Sequence, residues 1–313
     1  MRNLKVIVIT AVLALLFLSV AVMAADERYE EKFNKTETIA LDGKVMISNV
    51  SGDVVVRTWD KGEVKIDAVK RSRASSLEKA KENAQKVAIE VTNADNTVRI
   101  KVKYPEGHHE NLNVSINFEL MIPAKAALDA NSVSGDIRVE KIGGARKAGP
   151  VSGNVTGMGA AKGVDANTVS GDVAVSDATG DAYLKTVSGS VKAEHVMGSI
   201  SAETVSGDVD LMNISEAKTV SGKALSGNVT YKGKLNKEGR YTFNAHSGDI
   251  DVTIPADSGF EFSGETFSGD ISTDFKVEVS GKLSKRELHG TVNGGGAVLK
   301  MVAFSGNVNL KKG

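Results

Sequence analysis

Cysteine is absent from all 313 residues. That excludes disulfides, thiolate metal sites, a cysteine nucleophile and a lipid carried on a cysteine after a leader. Proline is nearly as scarce, at 4 residues, and aromatics make up only 5%. A core must then be assembled mostly from small and β-branched side chains. Net charge is missing too, since 39 basic residues balance 39 acidic ones. Such a balance gives no reason to expect nucleic acid or an anionic surface as partner. Disorder is excluded as well, because 41% of the chain is apolar and charges of both signs are mixed. Glycine, by contrast, is abundant at 32 residues, which points to many tight turns.

The N-terminus has the pattern of an export signal. Arg2 and Lys5 precede an apolar run from Val6 to Val22, broken only by Thr10 and Ser19. Val22-Met23-Ala24 then supplies small residues where a signal peptidase cuts. Residues 1–24 are therefore expected to be a cleaved signal peptide. The run is also long enough to serve as a retained anchor. Removing residues 1–24 takes away Arg2 and Lys5 and leaves a formal charge of −2. The expected location is the periplasm or the cell surface, with no membrane insertion after cleavage.

A repeat dominates the rest. Gly135, Gly153, Gly171, Gly189 and Gly207 are spaced by 18 residues, and each follows a serine. Gly144, Gly180 and Gly198 mark the half-period, which slips to Gly163 and is lost at Glu216. The spacing then stretches through Gly227, Gly248, Gly269 and Gly306, and Gly52 begins an earlier copy. A fixed period of this size marks stacked units. After each glycine, apolar residues alternate with polar or small ones, as in Val173 and Val175. Two-residue alternation means a strand with one buried face. Each unit is then two short strands and two turns, and stacking closes the core. The fold expected is all-β: a single-stack β-solenoid of about 18–21 residues per coil. Ile137, Val155, Val173, Val191, Val209, Val229, Ile250, Ile271 and Val308 should form one interior ladder, in that order. The Ser and Asp of each turn should bond their own turn backbone. The aromatics from Tyr231 onward, among them Phe267 and Phe304, should fill the wider coils.

The first third is less regular. A strand, a first Ser-Gly-Asp coil and a strand from Glu63 to Val69 lead into one helix near 76–86. Ser75 and Glu78 have capping-box spacing, and Leu77, Ala80, Ala84 and Val87 share a face. Strands over 97–104 and 113–122 follow, ended by Pro123. The expected division is an N-terminal β region, 25–125, and a repeat region, 126–313. The helix should cover one side or end of the stack.

With the coils, "VVVRTWDKGEV" and "LMIPAKAALDANSVSGDIRVEKIGG" on the page, the chain resembles the bacterial adhesin-like family of toastrack-type domains. The resemblance runs from Thr36 to Lys311. It implies an exported β-solenoid rich in Ser-Gly-Asp/Asn turns, and it brings no catalytic residue with it.

Candidate chemistry was weighed residue by residue. Calcium-binding nonapeptide rolls share the 18-residue coil, but they need a carboxylate in every half-coil. Here the position after the repeat glycine reads Asp136, Asn154, Asp172, Ser190, Asp208, Asn228, Asp249, Asp270 and Asn307, and only Asp181 serves the half-coil. That falls short of converging carboxylates. His108 and His109, between Glu106 and Glu110, could suit zinc, but read better as a polar hairpin tip. His195, His246 and His289 have no evident partners in sequence. Trp59 should pack over an end of the solenoid. A polysaccharide-acting enzyme needs two carboxylates at a set separation, and none stands out. The expectation is a non-enzymatic scaffold or adhesion-type module of the cell envelope, without cofactor or metal, meeting an envelope protein or glycan. The alternative is a polysaccharide-acting β-helix enzyme. The residues picked out are the turn glycines Gly52, Gly135, Gly153, Gly171, Gly189, Gly207, Gly227, Gly248, Gly269 and Gly306.

Overall fold

A computed structural model describes residues 27–105, 112–215, 217–280 and 284–313. Residues 1–24, expected to be an export signal, and the pair His108–His109 lie outside the described residues. Two sheets, of 13 and 14 strands, face each other along one stack. Each coil sends one strand into each sheet, and neighbouring coils pair in parallel. The chain is an all-β solenoid, with the helix Leu77–Lys86 as its one helix among the described residues. No described helix is long and apolar enough to cross a membrane.

Alternation decides what is inside. In Val173–Ser176, Val173 and Val175 point inward and are buried, while Ala174 and Ser176 face out. Repeated in register, this gives a core column of Ile137, Val155, Val173, Val191, Val209, Val229, Ile250 and Val308, each at most 2% exposed. The wider coils hold Tyr231, Tyr241 and Phe243 packed together, with ring centroids 5.2–5.7 Å apart. Burial pushes both tyrosine hydroxyls up from the usual range, and Tyr241 keeps its proton on a 2.9 Å bond to the Ala217 carbonyl.

The stack does not follow the chain at either end. Ile250 pairs with Val308, and Val308 with Ile271. The coil of Ala297–Ser305 and Val308–Lys312 therefore lies between that of Arg240–Ser247 and Ile250–Ile254 and that of Phe260–Ser268 and Ile271–Thr273. The interior ladder corrects from the sequence order to Ile250–Val308–Ile271. The reason is the segment Glu287–Val292, which runs antiparallel along Phe260–Ser268 and carries the chain back for one more pass. At the other end, Thr97–Lys103 and Val114–Pro123 form a coil outside the one that holds Gly52.

Antiparallel strands close the N-terminal end. Glu63–Ala74 pairs with Val114–Pro123, and Glu27–Thr38 pairs with Glu63–Ala74. The helix lies against Glu27–Thr38 and Glu63–Ala74, burying Ala80, Asn83 and Ala84. Its cap is Ser76 rather than Ser75: the Ser76 hydroxyl accepts from the Lys79 N–H at 3.2 Å. With the cap one residue later, Glu78 is not placed to complete a capping box, and Leu77 is exposed. At the far end of the helix, the Lys70 ammonium donates to the Ala84 carbonyl at 3.1 Å, the sign a helix C-terminus favours.

One interior position breaks the apolar rule. Arg146 stands between Leu128 and Val164 in the inward column and is 4% exposed. Gly157 leaves room for its guanidinium, whose Nη1 reaches the Met158 carbonyl at 3.4 Å. Nε and Nη2 have no partner among the described residues. Desolvation pushes Arg146 down to about 10.

Candidate interaction surface

The repeat "TVSGD" divides its work by position. The ten turn glycines all have φ between +106° and +157°, a region that L side chains avoid. At Gly171 a β-carbon would also overlap the carbonyl oxygen of Gly153 in the coil below. The threonines behind them satisfy those carbonyls: Thr186 Oγ1 donates to the Gly171 oxygen at 2.9 Å, and Thr204 Oγ1 to that of Gly189 at 2.8 Å.

The residue after the glycine reaches the next coil, not its own turn. Asp136 Oδ1 accepts from the Asn154 N–H, Asn154 Oδ1 from the Asp172 N–H and Asp172 Oδ1 from the Ser190 N–H, each at 2.8 Å. The ladder continues through Asp208, Asn228, Asp249, Asn307 and Asp270. This corrects the expectation of bonds within the turn. Strands on both sides of each turn leave that side chain facing the neighbouring N–H. The carboxylates of Asp136, Asp172, Asp208 and Asp249 are thus committed to the backbone.

The valine of the triplet's preface points outward. In stack order the column reads Val50, Val133, Val151, Val169, Val187, Val205, Leu225, His246, Phe304 and Phe267. All but Val50 are exposed, and Phe267 is 65% exposed. Phe267 and Phe304 are therefore not core filling as expected. They stack on each other at 4.9 Å, and Phe304 stacks on His246 at 4.6 Å. Their register puts them at an outward position, which overrides any demand for volume inside. The result is one continuous, mostly apolar stripe across the strand ends of the 14-stranded sheet. Sequence reasoning missed it, although Val133, Val151, Val169, Val187 and Val205 repeat every 18 residues.

Two grooves run beside the stripe. One, of about 540 Å³, is lined by Gly149, Pro150, Asp165, Tyr183 and Lys185. The other, of about 420 Å³, is lined by Glu203, Lys223, Asn244 and Phe304. Between them Glu203 takes Lys223 at 3.2 Å and Lys185 at 3.6 Å. The hydrogen bond from Lys223 is the main reason its carboxyl lies below the usual range. Glu37 is likewise lowered, chiefly by Lys35 and then Asn93. A general acid needs the opposite shift.

The described histidines have structural partners. His195 lies 3.5 Å from Asp177 and His289 lies 2.9 Å from Glu287. Trp59 ends the strand Val54–Trp59 and is partly buried, its indole N–H donating to the Glu63 carbonyl at 2.8 Å, with Lys61 over its ring. No group of three or more metal-ligating side chains occurs among the described residues.

Comparison with known proteins gives a family. The family model described as Toastrack DUF4097 matches residues 43–311. A solved putative adhesin from Parabacteroides distasonis is 11% identical, over 90% of this chain and 97% of its own, with a TM-score of 0.47. Another from Parabacteroides merdae is 10% identical over 90% and 96%, at 0.42. A putative lipid binding protein from Parabacteroides distasonis is 12% identical over 89% and 96%, at 0.40. No curated protein matches the chain.

Proposed function

The chain belongs to the toastrack DUF4097 family, and from that premise we propose that it is a non-enzymatic, exported interaction module of the cell envelope. The observation that carries this reading is the apolar stripe. Solitary exposed apolar residues are ordinary, but a contiguous row marks a surface that meets something. Regular coils hold the row straight and rigid, so little ordering is needed on contact. The Glu203 carboxylate beside it is lowered and held by lysines, which suits a salt-bridged binding face more than acid catalysis. Export is supported by the basic, apolar and small-residue sequence of residues 1–24.

The test is covalent capture in the producing cell. A photoreactive phenylalanine analogue at Val187 should give adducts, while the same group at Ala174, on the outer face of the other sheet, should give few. Stable protein in the envelope fraction without any adduct from Val187 would overturn the reading.

A further inference from the structure

We propose that the stripe is the seat of a second copy of this chain, packed antiparallel over its whole length. The inference rests on reading the stripe as an interaction surface, and it names the partner. Ten rungs at ~4.8 Å make a row of roughly 43 Å. With the flanking columns, two such faces would bury about 1,100 Å² in total, near the lower bound for a stable pair.

The register follows from the charges. A two-fold axis parallel to the strands, midway between the coils of Val187 and Val205, overlaps all ten rungs. It places Lys185 opposite the partner's Glu203, and Glu203 opposite the partner's Lys185. In the next outward column it places Asp129 opposite the partner's Lys300. Shifting the axis onto the Val187 coil would instead oppose Lys185 with itself, and onto the Val205 coil Glu203 with itself.

The turn ladder fits the same register. Asp172 would face the partner's Asn228, Asp136 the partner's Asn307, and Asp208 the partner's Ser190. Only the outermost rungs bring two aspartates together, Asp53 and the partner's Asp270. Side-chain size is complementary as well. The bulky end of the stripe, His246 and Phe304, would lie over the valine end, where Gly149 opens the larger groove.

The absence of cysteine makes a clean test possible. Val151→Cys and His246→Cys are prepared as separate single variants. In the antiparallel pair, residue 151 faces the partner's 246. Two copies of residue 151 stand about five rungs apart, roughly 24 Å, beyond any disulfide. Mixing the two variants under mild oxidation should give a cross-linked dimer, while either variant alone should stay uncross-linked. The unmodified protein should show a dimer mass by light scattering at ~100 µM, and both variants should keep its thermal midpoint. A monomer at that concentration overturns the proposal, and so does self-linking by Val151→Cys. The photoreactive group at Val187 separates the two readings. Adducts to another molecule and none to a second copy would leave the interaction module standing and remove the dimer.

Discussion

The backbone N–H of Asn307 donates to Asp249 Oδ1 at 2.7 Å, across 58 residues of chain. Asn307 Oδ1 in turn accepts from the Asp270 N–H at 3.1 Å. A neutral rung thus stands between two aspartates that would otherwise be stacked neighbours. From Asp136 to Asp270 the column then alternates without exception: Asp, Asn, Asp, Ser, Asp, Asn, Asp, Asn, Asp.

Asn307→Asp should therefore lower stability at low ionic strength. It creates three successive carboxylates at ~4.8 Å, each neighbouring pair repelling by about 0.9 kcal/mol in bulk water. Salt near 1 M should recover much of the loss. Asn307→Ser keeps an acceptor without the charge and is the control. Equal thermal midpoints for the two variants at low salt would show that this coil is not inserted where the structure has it.

Gly171→Ala should lower stability far more than Gly294→Ala. Both glycines have positive φ, a strain of about 1–3 kcal/mol for another residue. Gly294 has nothing within 4 Å of its missing β-carbon, whereas at Gly171 the Gly153 carbonyl occupies that place. Denaturant midpoints measure the difference, and similar values would leave only the dihedral argument.

Thr186→Val should destabilise by about 1–3 kcal/mol by leaving the Gly171 carbonyl without its donor. Thr186→Ser retains the hydroxyl and should recover most of that loss. The two variants, compared by chemical denaturation, separate the hydrogen bond from the packing of a fully buried side chain.

Arg146→Leu should raise the thermal midpoint at neutral pH. The buried cation leaves Nε and Nη2 unpartnered, and apolar replacement of a buried ion commonly stabilises by ~1–4 kcal/mol. Burial depresses the folded value to about 10, below the ordinary guanidinium range, so above that pH the unfolded chain binds more protons than the folded one. The original protein should therefore gain stability relative to Arg146→Leu as pH rises through 10. A gap between the two that stays constant from pH 8 to pH 11 would count against a folded value as low as about 10.

The coils were legible because geometry and sequence share one period. Val155, Val173 and Val191 align in the sequence at 18 residues and in the sheet as direct neighbours. Contacts made over long separations left no such trace. Glu27–Thr38 shows no alternation because neither of its faces is buried, so the pattern that reveals strands is missing. The inserted coil was hidden for a similar reason, since its partners are 37 to 58 residues away. Its one sequence signal was the break in alternation at Asp249 and Asp270. The stripe was overlooked because valine is usually read as core. Parity along Ala127–Ser134 nonetheless faces Val133 outward, beside the buried Ala130 and Ser132.

The inserted coil also sets the order in which the stack can be finished. Adding coils one by one from the N-terminal end proceeds as far as Ile254 and then stops. Phe260–Thr273 can pair with Glu287–Val292 but cannot join the stack until residues 297–312 have arrived, because those residues fill the slot between. Residues 297–312 act as a keystone, and a chain cut before them loses two rungs, not one. Completion of this end thus depends on long-range pairing, the slow kind. Until then the outer strand of Arg240–Ser247 is an open edge, able to accept any extended segment that comes first.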